Sequence, residues 1–300
     1  MNTEGQILTI FTPTYNRAYT LPRLYASLRQ QTAGGFVWLV VDDGSTDGTR
    51  GLVVRWMQEE RPFEIRYEYQ ENSGTHTAYN TAYRIAETEL VMCIDSDDRM
   101  PENAVELIVQ KWNEVRDSGA RGIVGLDAFA DGRSIGKRDV SGLQTATMNE
   151  YFGNSFRCWE VKVVYRTEYM RALPPFPVFG EEKYFGVTDK GALFDPSCRM
   201  AVLNRVLCIV EYQADGWTRN IYRQYVSSPR GFAWLRKQHM AQRSGSALRT
   251  CMECIHYVSS SLISRNRHFL RESPRKVLTA LAVPFGIIWT IYVRRKAGKQ

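Results

Sequence analysis

Short apolar runs alternate with helix-spaced stretches through the first hundred residues. Ile7-Leu8-Thr9-Ile10-Phe11, Phe36 to Val41 and Leu90 to Ile94 each read as a strand buried on both faces, because they do not alternate toward water. Phe63 to Tyr69 alternates and predicts one more strand. Between the first two runs, Leu21, Leu24, Tyr25 and Leu28 share one face of a helix within Tyr19 to Gln31, with Gly34-Gly35 past its end. Further helices are expected up to Glu60 and from the loop at Glu71 through Glu87. Strand, loop and helix alternating at this pitch predict a mostly parallel central sheet covered by helices, an α/β protein.

Each strand runs into a polar loop, and in open α/β sheets ligands gather at the carboxyl ends of the strands. The chemistry is densest where Val91-Met92-Cys93-Ile94 meets Asp95-Ser96-Asp97-Asp98. A protein interior does not tolerate unpaired carboxylates, so such a strand end calls for a partner. A hard divalent cation, Mn2+ or Mg2+, takes oxygen ligands from one or two carboxylates together with substrate phosphates. Taken alone, the run reads equally well as an acidic turn leading into a helix, with Pro101 near the first helical position and Glu102 in the first turn.

Charge changes the picture only once it is located. The chain of 300 residues has a formal net charge of +7. Residues 261–300 hold nine Lys/Arg against one acid, Glu272, which leaves the rest without a basic bias and gives no nucleic-acid footprint. That tail brackets the uncharged run Val277 to Val293 with Arg275-Lys276 and Arg294-Arg295-Lys296. The run is short for a bilayer span and carries Pro284 and Gly286, which are expected to interrupt it. Basic flanks with Trp289 and Tyr292 near one end suit an element at the cytoplasmic membrane surface over residues 271–300; a buried C-terminal helix is the competing reading. Met1 is followed by polar residues and a strand, so no signal peptide is expected. The six cysteines show no disulfide framework, and the lone Cys251-x-x-Cys254 lacks a second ligand pair, so ordinary thiols in a reducing setting are expected.

Four stretches in order, Thr12-Pro13-Thr14-Tyr15-Asn16-Arg17, Val41-Asp42-Asp43-Gly44-Ser45-Thr46-Asp47, Asn72-Ser73-Gly74 with Ala78 and Asn80, and Asp95-Ser96-Asp97-Asp98, resemble the signatures of family 2 inverting glycosyltransferases of the capsule and cell-wall polysaccharide type. The resemblance implies the GT-A fold, with a Rossmann-like nucleotide-sugar half over about residues 1–100 and an acceptor half over 101–225. A helical region over 226–300 would carry the membrane-associating tail. It also implies roles. Thr12, Pro13, Tyr15 and Arg17 would contact the nucleotide, and Asp42 and Asp43 the uracil edge or ribose, with Asn72 and Gly74 in the third loop. Asp95 and Asp97 match a D-x-D element, with Asp97 as the metal ligand, Asp95 on the ribose side or the metal, Ser96 between them and Asp98 toward the donor sugar. Relatives often carry a lysine where Thr75 stands, and His76 is left out of the assignment.

The second half is sparser. Residues 120–140, with Asp127 and Asp131, read as strand ends and turns. Inverting transfer needs a group to take the acceptor proton, and Glu181 and Glu182 stand beside aromatic residues where partial burial would raise a carboxylate pKa. By resemblance Glu182 takes the base position. The competing reading is an acidic pair complementing a helix N-terminus. Glu211 to Asn220 resembles a segment that closes over the donor, with Gly216 as a hinge, Trp217 near the acceptor and Arg219 near the diphosphate. The sequence therefore predicts a metal-dependent glycosyltransferase using a nucleotide-sugar, a UDP-sugar by resemblance, and a glycan or lipid-linked acceptor. It would be cytoplasmic and peripheral at the inner face of the membrane. The alternative is a catalytically inactive relative serving as a binding module at the membrane.

Overall fold

The computed structural model describes residues 5–135, 142–152, 161–183, 186, 190–211, 213, 220–242 and 247–299. The chain divides into two compact units. The first comprises residues 1–175 and 189–212, the second residues 176–188 and 213–300.

The first unit opens with the expected alternation: β1 (Leu8–Thr14), α1 (Leu21–Arg29), β2 (Phe36–Asp42), α2 (Thr49–Trp56), β3 (Glu64–Tyr69), α3 (Thr75–Ile85) and β4 (Leu90–Cys93). After α4 (Ala104–Val115) come β5 (Gly122–Phe129), β6 (Thr145–Thr147), α5 (Met148–Phe152), β7 (Val161–Arg166), α6 (Thr167–Ala172), α7 (Lys190–Phe194) and β8 (Arg199–Val210). The strands form one sheet in the order β3-β2-β1-β4-β7-β5-β8-β6. The pairs β1–β2, β1–β4, β2–β3 and β5–β8 are parallel, while β7 runs antiparallel to both β4 and β5, and β6 antiparallel to β8.

Both faces are covered, which is why the central strands read as apolar throughout. Leu8, Ile10, Trp38 and Val40 pack with Leu24, Leu28, Ile108 and Trp112 on one side; Phe11, Leu39 and Val91 pack with Ala78 and Ala82 on the other.

Two expectations need correction here. The strand at the N-terminus does not stop at Phe11; Thr12, Pro13 and Thr14 continue it, paired with Val40, Val41 and Asp42. Pro13 is tolerated because β4 pairs with β1 only as far as Cys93 opposite Phe11, so the missing N–H costs no ladder bond on that side. Residues 120–140 are also more than strand ends and turns, since β5 is an eight-residue inner strand. Its glycines mark close approach, because a Cβ on Gly125 would lie 2.4 Å from Leu207 Cδ1.

The second unit holds α8 (Ile221–Ser227), α9 (Pro229–Ala241), α10 (Ala247–Ile263), α11 (Phe269–Glu272) and α12 (Lys276–Ala297). Contrary to expectation, Pro284 and Gly286 do not interrupt α12, which runs 22 residues with Pro284 inside it. Gly286 lies where Val258 of α10 leaves no room, as a Cβ there would sit 2.4 Å from Val258 Cγ1. Cys251 and Cys254 are free thiols on α10.

Candidate active site

In the first unit the loops after β1, β2 and β3 are bound to one another by side chains that sequence position alone would not pair. Asn16 sits at φ 53°, a left-handed conformation that asparagine tolerates better than most residues. Its N–H donates to Ser45 Oγ at 2.9 Å, and its Oδ1 accepts the Thr46 and Asp47 amides at 2.8 and 3.3 Å. Asp47 answers by accepting the Ala18 and Thr49 amides, both at 3.0 Å. Burial works against the Asp47 anion, but these hydrogen bonds outweigh it and hold its pKa below the ordinary value.

Asp42 and Asp43 are buried and already employed. Asp42 accepts the Ser45 amide at 2.8 Å and the Tyr67 hydroxyl at 2.6 Å. Burial, then that hydrogen bond, pushes the Tyr67 phenol well up. Asp43 accepts the Ser73 and Gly74 amides at 2.9 and 2.8 Å and the Gln70 side chain at 2.7 Å. It thus holds the third loop, including its expected members Asn72 and Gly74, against the second. Gly44 makes this possible: its φ is 82°, and a Cβ would lie 2.7 Å from the Asn72 amide nitrogen.

The first loop shows two layers. Thr12 is fully buried and takes the Trp38 indole N–H at 3.0 Å, so its side chain belongs to the core beneath the loop. Tyr15 is 48% exposed, and Arg17, whose guanidinium donates to the Tyr19 hydroxyl, lies 5.7 Å from the Tyr19 ring centroid. An exposed aromatic and a cation in one loop suit stacking on a base and contact with phosphate.

After β4 the chain turns tightly, the Asp98 amide donating to the Asp95 carbonyl at 3.1 Å. This turn sorts the acids: Asp95 is exposed, Asp97 half-buried, and Ser96 and Asp98 buried. Asp98 turns inward, where its carboxylate accepts the Glu211 amide at 3.3 Å and the Cys208 thiol at 3.4 Å. Lys162 Nζ lies 3.8 Å from Asp98 and 3.9 Å from Asp127. Burial raises the Asp98 pKa to about 7, Asp95 and Asp97 adding to the rise and Lys162 opposing it. Burial alone would lower Lys162; Asp127, Cys208, Asp98 and Asp95 outweigh it and hold the ammonium well above its ordinary range. Lys162 and the inward role of Asp127 fall outside the sequence expectation, although a lysine within Val161-Lys162-Val163-Val164 is a visible signal.

Among the described residues no group of three or more His, Cys, Asp or Glu is placed to enclose a metal. Asp95, exposed, and Asp97, half-buried, instead offer hard oxygen donors, which fits Mn2+ or Mg2+ shared with substrate phosphates rather than held in a cage of protein ligands.

Glu181 and Glu182 belong to the second unit. Glu181 is exposed; Glu182 is 9% exposed and accepts the Arg230 and Gly231 amides at 3.1 and 2.8 Å, at the N-terminus of α9. Arg230 Nε stands 3.3 Å from the same carboxylate. Gly216, Trp217 and Arg219 lie outside the described residues.

Comparison with known proteins follows the same outline. The family model described as glycosyl transferase family 2 matches residues 9–173. A teichoic acid poly(glycerol phosphate) polymerase of Staphylococcus epidermidis is 32% identical over 107 residues, which is 35% of this chain and 15% of that protein. The chain matches about a third of the length of the first curated relatives. Among solved structures, S. aureus TarS 1-349 in complex with UDP-GlcNAc aligns with TM-score 0.58 at 19% identity, covering 94% of this chain and 80% of that 1-349 chain. The mannosyltransferase PcManGT of Pyrobaculum calidifontis, in complex with GDP-Man and Mn2+, aligns with TM-score 0.56 at 16% identity, covering 95% and 87%.

Proposed function

The chain belongs to glycosyl transferase family 2, and from that premise we propose that it moves a sugar from a nucleotide-sugar, with UDP as the nucleotide, to a hydroxyl of a glycan or lipid-linked acceptor in bacterial surface polysaccharide synthesis. The observation that carries the reading is the β4 turn, which exposes Asp95 and half-exposes Asp97 at the carboxyl end of a parallel strand. TarS with UDP-GlcNAc and PcManGT with GDP-Man and Mn2+ are relatives in fold that support it.

In this reading Tyr15, Arg17, Pro13 and the loop held by Asp42, Asp43, Asn72 and Gly74 take the nucleoside. Asp97, with Asp95, would hold the divalent cation. Bound Mn2+ or Mg2+ supplies charge neutralisation as the diphosphate leaves. Glu182, with Glu181 beside it, takes the proton of the acceptor hydroxyl while that oxygen bonds to C1 of the sugar from the face opposite the departing diphosphate. Asp98, buried beneath the turn, anchors it through the Glu211 amide and the Cys208 thiol. Trp217 and Arg219 are assigned to the acceptor and the diphosphate. The uncharged run with basic ends in residues 271–300 supports a position at the inner face of the cytoplasmic membrane.

One observation favours a second reading, an inactive binding module at the membrane: both Glu182 oxygens are engaged by α9 amides. Thermal stabilisation by nucleoside diphosphates, with and without Mn2+, separates the outcomes, because a ligand that binds only the native state raises stability by mass action. A UDP shift that needs the metal and vanishes in Asp97→Ala supports the donor site; no shift with any nucleoside diphosphate sinks it. Sugar transfer that disappears in Asp97→Ala then separates the enzyme from the binding module.

A further inference from the structure

The last helix is built the wrong way round for a water-soluble unit. On α12 the covered face is mostly small and hydroxylic: Thr279, Ala282, Gly286 and Thr290 are buried, with Val293 at its end. Thr290 donates to Ser259 Oγ of α10 at 3.0 Å, and Thr279 to Cys254 Sγ at 3.6 Å. The opposite face is apolar and open. Val277, Leu281, Phe285, Ile288 and Ile291 are between 55% and 77% exposed and recur at intervals of three and four residues, one continuous helical stripe. No charged residue interrupts α12 between Lys276 and Arg294. Small and polar residues between helices with apolar residues outward is the arrangement expected of a helix whose outer surroundings are lipid.

We propose that α12 lies in the plane of an anionic leaflet, its stripe facing the acyl chains and its two basic ends on the lipid phosphates. This rests on the membrane placement proposed above and gives it a geometry. The charge distribution names the occupant: Arg275 and Lys276 precede the stripe, and Arg294, Arg295 and Lys296 follow it, so cations bracket an apolar strip about 25 Å long. The covered side excludes an upright crossing. It carries α8 through the Tyr222 and Tyr292 hydroxyls, 3.5 Å apart, and Arg223, whose Nε donates to the Ala297 carbonyl at 3.5 Å. It also carries α10, whose buried Glu253 pairs with Arg236 and His239, each at 3.1 Å. An upright α12 would drag these charges into hydrocarbon, where each is costly. Lying flat, it leaves them above the headgroups.

The test uses the full chain purified without detergent and vesicles of equal parts phosphatidylcholine and phosphatidylglycerol. Sedimentation with these vesicles is expected, weakening in high salt and for phosphatidylcholine alone, and the bound chain is expected to be released by alkaline carbonate. Leu281→Glu with Ile288→Glu, on the open face, is expected to cut partitioning about tenfold or more while leaving the UDP-dependent thermal shift unchanged. Arg294→Gln with Arg295→Gln is expected to weaken binding to anionic vesicles only. Unchanged binding of the Glu variant overturns the proposal. So does resistance to carbonate, which would mean a crossing helix, and so does a dimer broken by the Glu variant with no vesicle binding, which would mean that a second copy covers the stripe. Loss of the UDP shift in the unaltered chain, with vesicle binding intact, would remove the donor site and leave the membrane geometry standing.

Discussion

Replacing Lys162 by Met tests whether the acidic turn depends on a buried counter-charge. The ammonium lies 3.8 Å from Asp98 and 3.9 Å from Asp127, and the two carboxylates are 5% and 3% exposed. At an effective dielectric constant of about 20, each pair is worth roughly 4 kcal/mol of Coulomb attraction before desolvation is charged against it. Removing one partner of a buried pair strands the others, and measured losses of this kind run about 3–5 kcal/mol. Lys162→Met is therefore expected to destabilise the protein by about 4 kcal/mol at pH 8. The sign with pH follows from Asp98, whose folded pKa of about 7 stands above its unfolded value. A carboxylate raised in this way costs stability as pH climbs from the unfolded pKa through the folded one. Without Lys162 the folded pKa goes higher still, so the deficit of the variant should be larger at pH 8 than at pH 5.5. Urea midpoints at the two pH values, in EDTA, measure it. Adding Asp127→Asn should restore part of the loss, since one stranded anion is gone. A loss below about 1 kcal/mol at pH 8, or no recovery in the double variant, would refute the buried-counter-charge argument.

Other outcomes follow from single contacts. Gly286→Val should cost about 1–3 kcal/mol, because its branched side chain enters the space of Val258, and a differential melt of the variant checks it. Burial, then Arg236, lowers the His256 pKa to about 4, so stability should fall by about 3 kcal/mol as pH drops from 6.5 to 4, and His256→Phe should flatten that segment of the melting profile. Glu253, held down to about 2 by His239 and Arg236 against its burial, contributes stability above its unfolded pKa that is lost only as pH falls from 4.5 toward 2, a separate step in the same titration. Glu182→Gln should lose about 1–2 kcal/mol, because its amide faces one of the two α9 N–H groups, and sugar transfer should fall at least about a hundredfold with the UDP shift retained; full transfer by the variant removes Glu182 as the base.

What is legible in the sequence is what is local. Apolar runs with no alternation locate β1, β2 and β4 within a few residues, since burial on both faces leaves its mark on every position. The polar loops are legible for a related reason: Asp, Gly and Asn gathered where an apolar strand stops mark the place at which the chain leaves the sheet and meets water. β5 is not legible, because its glycines at 122 and 125 look like turn residues and reveal their purpose only beside Val164 and Leu207. Nor is the continuity of α12, since the fit of Gly286 against α10 cannot be read from α12 alone.

The site shows the same division more sharply. Asp42, Asp43 and Asp98 read as ligands because an acid at a strand end is chemically conspicuous, yet much of their hydrogen bonding goes to the protein itself. Their partners, Tyr67, Gln70, Lys162 and the amide of Glu211, stand between 25 and 113 residues away, and no periodicity encodes such pairings. The arrangement divides the labour among acids that look alike along the chain. Asp95 is left exposed and Asp97 half-buried, while Asp98, one residue on, is drawn beneath the turn by a thiol, an amide and an ammonium. Anchoring the turn at its third acid ties its buried side to β8, and the first two carboxylates are left on its outer side, Asp95 exposed and Asp97 half-buried.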